Sequence, residues 1–223
     1  MVALGEGGAM DFSGRERLGF QLAGTVPVAA ARDRCGGNLP VDDAGGRVPV
    51  RLTVLALENL GAGSIPVKLG YLEALWRVGV LIRKRPAWLV VKVDIDRPLA
   101  RGLAGWVMSY PTRSASIELS DQPRALDLAI RAGDVALQLR AELNTQSPKD
   151  DDKRMLATRS GARFFRVPWG DATPSSRQGA YVTMQDSGLA EATLGDGLVW
   201  EEGATVWRQR AHQCGSAEAM DLI

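Results

Sequence analysis

Apolar and polar residues alternate along much of this chain, and the helical spacing of three to four is rare. Residues 48–57 (VPVRLTVLAL) and 87–95 (AWLVVKVDI) are rich in β-branched residues and predict strands. Leu126, Leu128 and Ile130 alternate with Asp127, Ala129 and Arg131. After Gly133-Asp134, Val135, Leu137, Leu139 and Ala141 alternate with Ala136, Gln138 and Arg140. A helix would also put Leu126, Ile130 and Leu137 on one face, but the central Gly-Asp with a period of two on both sides favours a hairpin. Residues 71–82 (YLEALWRVGVLI) fit either a strand pair or a buried helix. Arg83-Lys84-Arg85-Pro86 then makes a charged turn, because Pro86 restrains its predecessor and donates no amide proton.

Further short strands are expected at 164–170, 180–185, 191–194 and 205–212, separated by Gly, Ser and Pro turns. Many short strands of this kind predict a mainly β fold with minor α, as a curled antiparallel sheet or closed barrel. Residues 1–46, rich in Gly, Ala, Asp and Arg, read as a loosely structured lead-in with one short strand near 24–29; residues 47–223 read as a single β domain. Asp150-Asp151-Asp152 reads as a solvated loop, since consecutive acids do not converge on one ion without other ligands.

Composition narrows the function classes. The formal net charge is +1, so no basic surplus points to nucleic acid. No stretch approaches the roughly 20 apolar residues of a membrane span, and the N-terminus lacks a signal-peptide pattern. One histidine, His212, and two distant cysteines, Cys35 and Cys214, do not make a zinc site. They read as isolated thiols in a reduced cytoplasm and a structural or exposed imidazole. No metal or cofactor is expected.

Residues 101–119 (RGLAGWVMSYPTRSASIEL) carry the most specific signal. A Gly- and Arg-bearing turn leads to Ser109-Tyr110-Pro111, preceded by a strand ending in Asp94-Ile95-Asp96. This pattern resembles the acetoacetate decarboxylase-like family, in which a small-Tyr-Pro motif precedes two lysines. Glu58 and Glu73 fall where the family carries two active-site glutamates. Thr112 and Arg113 stand where its lysines belong.

That departure decides the chemistry the resemblance implies. The first lysine of the family forms an imine with a ketone, and the neighbouring cation lowers its pKa. Threonine forms no imine, and a guanidinium stays protonated. The resemblance therefore implies a divergent member without the Schiff-base lysine. Glu73, Glu58 and Arg113 are the candidate catalytic residues, and Tyr110, Thr112 and Trp106 the candidate substrate-binding residues. The expected function is a lyase-, cyclase- or isomerase-like enzyme that moves protons on a small carbonyl or carboxylate substrate in the cytoplasm. The alternative is a non-catalytic small-molecule binding protein on the same scaffold. Neither nucleic acid nor membrane is an expected partner, and a homo-oligomer is compatible with the pattern.

Overall fold

The computed structural model describes residues 11–36, 39–62, 68–144, 154–161, 163–168, 174 and 176–220. Residues 1–10 and the Asp150-Asp151-Asp152 segment lie outside them. Among the described residues thirteen strands form one sheet. In chain order they are β1 (Asp11–Pro27), β2 (Arg47–Ala62), β3 (Leu69–Ile82), β4 (Arg85–Ile95), β5 (Thr112–Ser114), β6 (Ser116–Asp121) and β7 (Ala125–Ala132). There follow β8 (Val135–Asn144), β9 (Met155–Ser160), β10 (Arg163–Val167), β11 (Ser176–Asp186), β12 (Val199–Gly215) and β13 (Glu218–Met220). Among the described residues helices α1 (Val28–Cys35), α2 (Pro98–Val107) and α3 (Leu189–Leu194) interrupt them.

The hydrogen-bonded path runs β13-β10-β9-β4-β3-β2-β1-β12-β11-β8-β7-β6, with β5 added on β4. Most pairings are antiparallel; β5 and β9 both run parallel to β4. The sheet curls without closing, since β13 and β6 are its two ends. The closed-barrel form of the expectation is corrected to this extent. The ring is nearly completed by covalent continuity, because only Ala115 separates β6 from β5, and its amide donates to Ile95 O of β4.

Two apolar faces follow from the period of two. Leu18, Phe20, Leu22, Val50, Leu52, Val54, Trp76 and Val78 face into the curl with Leu126, Ile130 and Leu137. Leu55, Leu57, Leu75, Val93 and Ile95 face the other way and meet Ala100 and Ala104 of α2.

Several elements differ from the expectation. Within the lead-in the described residues include β1 and α1, and β1 sits mid-sheet between β2 and β12. Its inward residues Leu18, Phe20 and Leu22 alternate with Gly19 and Gln21, but the glycines and charges around them mask the period. The strand expected at 191–194 is α3, because Asp186 Oδ1 accepts from the amides of Gly188, Leu189 and Ala190 and starts a helix there. The turn expected near Arg101 is α2, opened by Pro98 at its first turn. Residues 71–82 lie in one long strand, β3. Its link to β4 is a two-residue turn in which Arg83 and Lys84 both have positive φ. The hairpin at Gly133-Asp134 is present, with Ala132 facing Val135.

Candidate active site

Ser109-Tyr110-Pro111 leaves α2 through a backbone reversal. Ser109 takes a left-handed φ of 51°, its carbonyl accepts from Thr158 Oγ1 at 2.8 Å, and the Tyr110 amide reaches back to Ala104 O. Thr112 and Arg113 then pair along β4 opposite Val93 and Asp94. This local path turns Tyr110 and Arg113 toward different faces of the sheet.

Arg113 joins Asp94 inside the curl. Its Nε–H donates to Asp94 Oδ1 at 2.6 Å and its Nη2 to Oδ2 at 2.9 Å, the forked geometry that suits guanidinium and carboxylate. Trp76 Nε1–H also donates to Oδ2 at 2.7 Å, and Arg113 Nη2 reaches Thr193 Oγ1 of α3 at 3.2 Å. Asp94 is fully buried and satisfied by these donors.

Glu73 faces the opposite way. It pairs with Leu55 on one side and Ile95 on the other, both wholly buried, so its carboxyl sits between apolar neighbours. Burial pushes its pKa up to about 7, against lesser opposing effects of His212 and of a hydrogen bond from Tyr71. Tyr71 is two residues away on the same face, as strand alternation requires. Burial likewise holds the Tyr71 and Tyr110 phenols well above their ordinary pKa, so both remain O–H donors at neutral pH. The Tyr110 hydroxyl is buried without a hydrogen-bond partner. An unmade bond of this kind costs about 1–3 kcal/mol, which a ligand acceptor would recover.

Around Glu73 the structure gathers residues that the sequence did not single out together. Glu16 of β1 is fully buried; its Oε2 accepts from Trp207 Nε1–H at 2.6 Å, and its Oε1 lies 3.0 Å from His212 Nδ1. Cys214 Sγ lies 3.4 Å from His212 Nε2. His212 is buried, not exposed, and Cys214 is a free thiol, as is Cys35. Burial, with Glu73 and Glu16 adding to it, pushes the Cys214 thiol up to about 12. His212 and Cys214 are two apart on β12 and so share a face, a signal present in the sequence. Glu16 was hidden between Arg15 and Arg17.

The remaining candidates lie elsewhere. Glu58 is partly exposed and paired with Arg15 at 2.7 Å and Arg17 at 3.3 Å. Trp106 is 61% exposed on α2. Thr112 is half-buried beside Gly105. Glu73 and Arg113 are thus on opposite faces of the sheet, and only Tyr110 of the other candidates joins Glu73. A surface groove formed by β6, β7, β8 and β11 is separate from both groups, and its charges are matched across it, Arg131 to Glu118 and Arg140 to Asp127.

No family model matches the sequence, and no curated protein matches it closely. Solved structures do. An acetoacetate decarboxylase-like enzyme from Sphingomonas wittichii RW1 superposes with a TM-score of 0.72 at 12% identity, covering 96% of this chain and 94% of that one. The chain has the acetoacetate decarboxylase-like fold. The acetoacetate decarboxylase of Legionella pneumophila gives 0.71 at 10% identity, over 94% of this chain and 87% of the other. The enduracididine biosynthesis enzyme MppR, complexed with pyruvate, gives 0.68 at 13% identity, over 99% and 93%. Among the described residues Lys68 and Lys84 are exposed and Lys92 is half-buried. No helix among the described residues is long and apolar enough to cross a membrane.

Proposed function

We propose that this protein is an enzyme that transfers a proton on a small carbonyl compound, a keto acid or a polyketide-like ketone, without forming an imine. The observation that carries the reading is Glu73, a carboxyl buried between Leu55 and Ile95 whose pKa of about 7 suits it both to give and to take a proton near neutral pH. The Tyr110 hydroxyl, buried and unpartnered, supplies a donor for a carbonyl oxygen, where charge develops as a proton leaves the adjacent carbon. Tyr71 holds the Glu73 carboxyl in place. Neighbours of the same fold include decarboxylases and a pyruvate-binding biosynthetic enzyme, which supports the carbonyl class. The same reading takes the protein as cytoplasmic and its ligand as a small molecule.

The test is a panel of keto acids, pyruvate and acetoacetate first, followed by proton exchange into deuterated water and by product formation. Glu73→Gln is expected to lower turnover by on the order of 100-fold or more while ligand affinity persists, since the amide keeps the shape but cannot give or take a proton near neutral pH. Borohydride added with pyruvate is expected to leave the protein mass unchanged. A reduced adduct mapped to any lysine would overturn the imine-free mechanism. Binding that persists beside unchanged exchange in Glu73→Gln would mark a binding protein instead.

A further inference from the structure

We propose that Cys214 is a thiol nucleophile served by a His212–Glu16 relay, and that it adds to the carbonyl carbon of an aldehyde or ketone ligand. The ligand class rests on the carbonyl reading above; the relay rests on geometry alone.

Three groups stand in sequence. Glu16 Oε1 faces His212 Nδ1 at 3.0 Å, and His212 Nε2 faces Cys214 Sγ at 3.4 Å. A carboxylate only accepts, so Nδ1 carries a proton, and in the neutral imidazole the Nε2 lone pair is then left toward the thiol. This is the order of nucleophile, base and orienting carboxylate found in cysteine and serine hydrolases of unrelated fold. Trp207 Nε1–H, at 2.6 Å from Oε2, fixes the second oxygen of Glu16 and hence the plane in which Oε1 meets the imidazole. Arg210 Nη1 lies 3.9 Å from the same oxygen. Tyr110, which packs in the same apolar cluster as Trp207 and Cys214, presents a buried hydroxyl without a hydrogen-bond partner. A tetrahedral adduct oxygen would be its acceptor.

The step balances without an oxidant or metal. The Cys214 S–H proton passes to His212 Nε2 as sulfur bonds to the carbonyl carbon. The C=O π pair moves to oxygen, and that oxygen takes the carboxyl proton of Glu73 while Tyr110 hydrogen-bonds to it. The product is a hemithioketal from a ketone or a hemithioacetal from an aldehyde, and reversal restores every group.

Cys35 provides an internal control. It too is buried, and burial pushes its pKa to the same value, about 12, but the charge beside it is Arg159, and the one imidazole of the chain, His212, stands at Cys214. Thiol pKa alone would make the two equally inert. The native protein is treated with iodoacetamide across pH 6–9 and the two cysteines are mapped by mass spectrometry. Cys214 is expected to react faster than Cys35 by on the order of 100-fold, with a rate that flattens below the pH at which a bare thiol would ionise. His212→Asn is expected to bring Cys214 down toward the Cys35 rate, and Glu16→Gln to give an intermediate loss. Equal rates in the wild type, a comparison that needs no variant to fold, overturn the relay. So does a Cys214 rate unchanged in His212→Asn, which would reduce its reactivity to mere access.

The carbonyl step is read with pyruvate carrying carbon-13 at its carbonyl. A protein-dependent tetrahedral carbon resonance that disappears in Cys214→Ser supports it; no such resonance, or one that survives Cys214→Ser, overturns it. Turnover that depends on Glu73 and not on Cys214 overturns the thiol inference and leaves the proton-transfer reading standing. A Cys214 adduct without Glu73-dependent turnover does the reverse.

Discussion

Glu73 links function to stability through one proton. Its pKa is raised from 4.5 to about 7 in the folded protein, so between those values the native state keeps a proton that the unfolded chain has lost. Stability therefore falls as pH rises from 4.5 to about 7, by up to about 3 kcal/mol from this group, and is flat above and below that window. Glu73→Gln removes the linkage. The difference in urea midpoint between wild type and Glu73→Gln should shrink toward lower pH and be largest in favour of the variant above pH 7. A difference independent of pH would mean that Glu73 is solvated. At this scale the sequence named Glu73 and Tyr110, because a carboxylate in an apolar run and a Tyr-Pro turn are local patterns. It did not reveal that Arg113 is committed to Asp94, since that depends on the parity of two strands pairing across β4 and β5.

The elements show the same division. Local chemistry made the β7–β8 hairpin legible, because Gly133-Asp134 and the alternation around it lie within twenty residues. β1 was not legible, because its partners are β2 and β12 and the latter begins at Val199. The β1–β12 contact also builds the Glu16 site, and one glycine makes it possible. Gly19 pairs with Trp207, and a Cβ at Gly19 would overlap the indole ring. Gly19→Ala is expected to cost about 1–3 kcal/mol by forcing Trp207 aside. It should also shift tryptophan fluorescence and slow Cys214 alkylation, since Trp207 holds Glu16. An unaltered emission spectrum and midpoint would show that the indole has room to move.

Across the whole molecule, the bond between Arg113 and Asp94 sits on the seam where β5 docks on β4 and carries β6 back toward the start of the curl. Arg113→Ala would leave a fully buried carboxylate with only Trp76 as donor. The expected loss is about 3 kcal/mol, at the lower end for a buried pair because the arginine side chain is 28% exposed. Adding Asp94→Asn to Arg113→Ala should recover part of that loss in urea melts, since no charge then remains buried. If Arg113→Ala is neutral, the seam is held by its backbone pairing alone.

The mid-sheet position of β1 has a consequence for how the chain reaches this state. Asp11 lies opposite Gly215 and Phe20 opposite Val206, so the first and last long strands are hydrogen-bonded neighbours. During synthesis β1 can pair with β2 early, but its other edge waits until β12 has left the ribosome. At roughly 5–20 residues per second that interval is on the order of ten seconds or more, during which an unpaired strand edge and half an apolar face are open to other chains. Pairing so distant in sequence also makes for slow refolding, because the closure entropy is spent before the contacts that reward it can form.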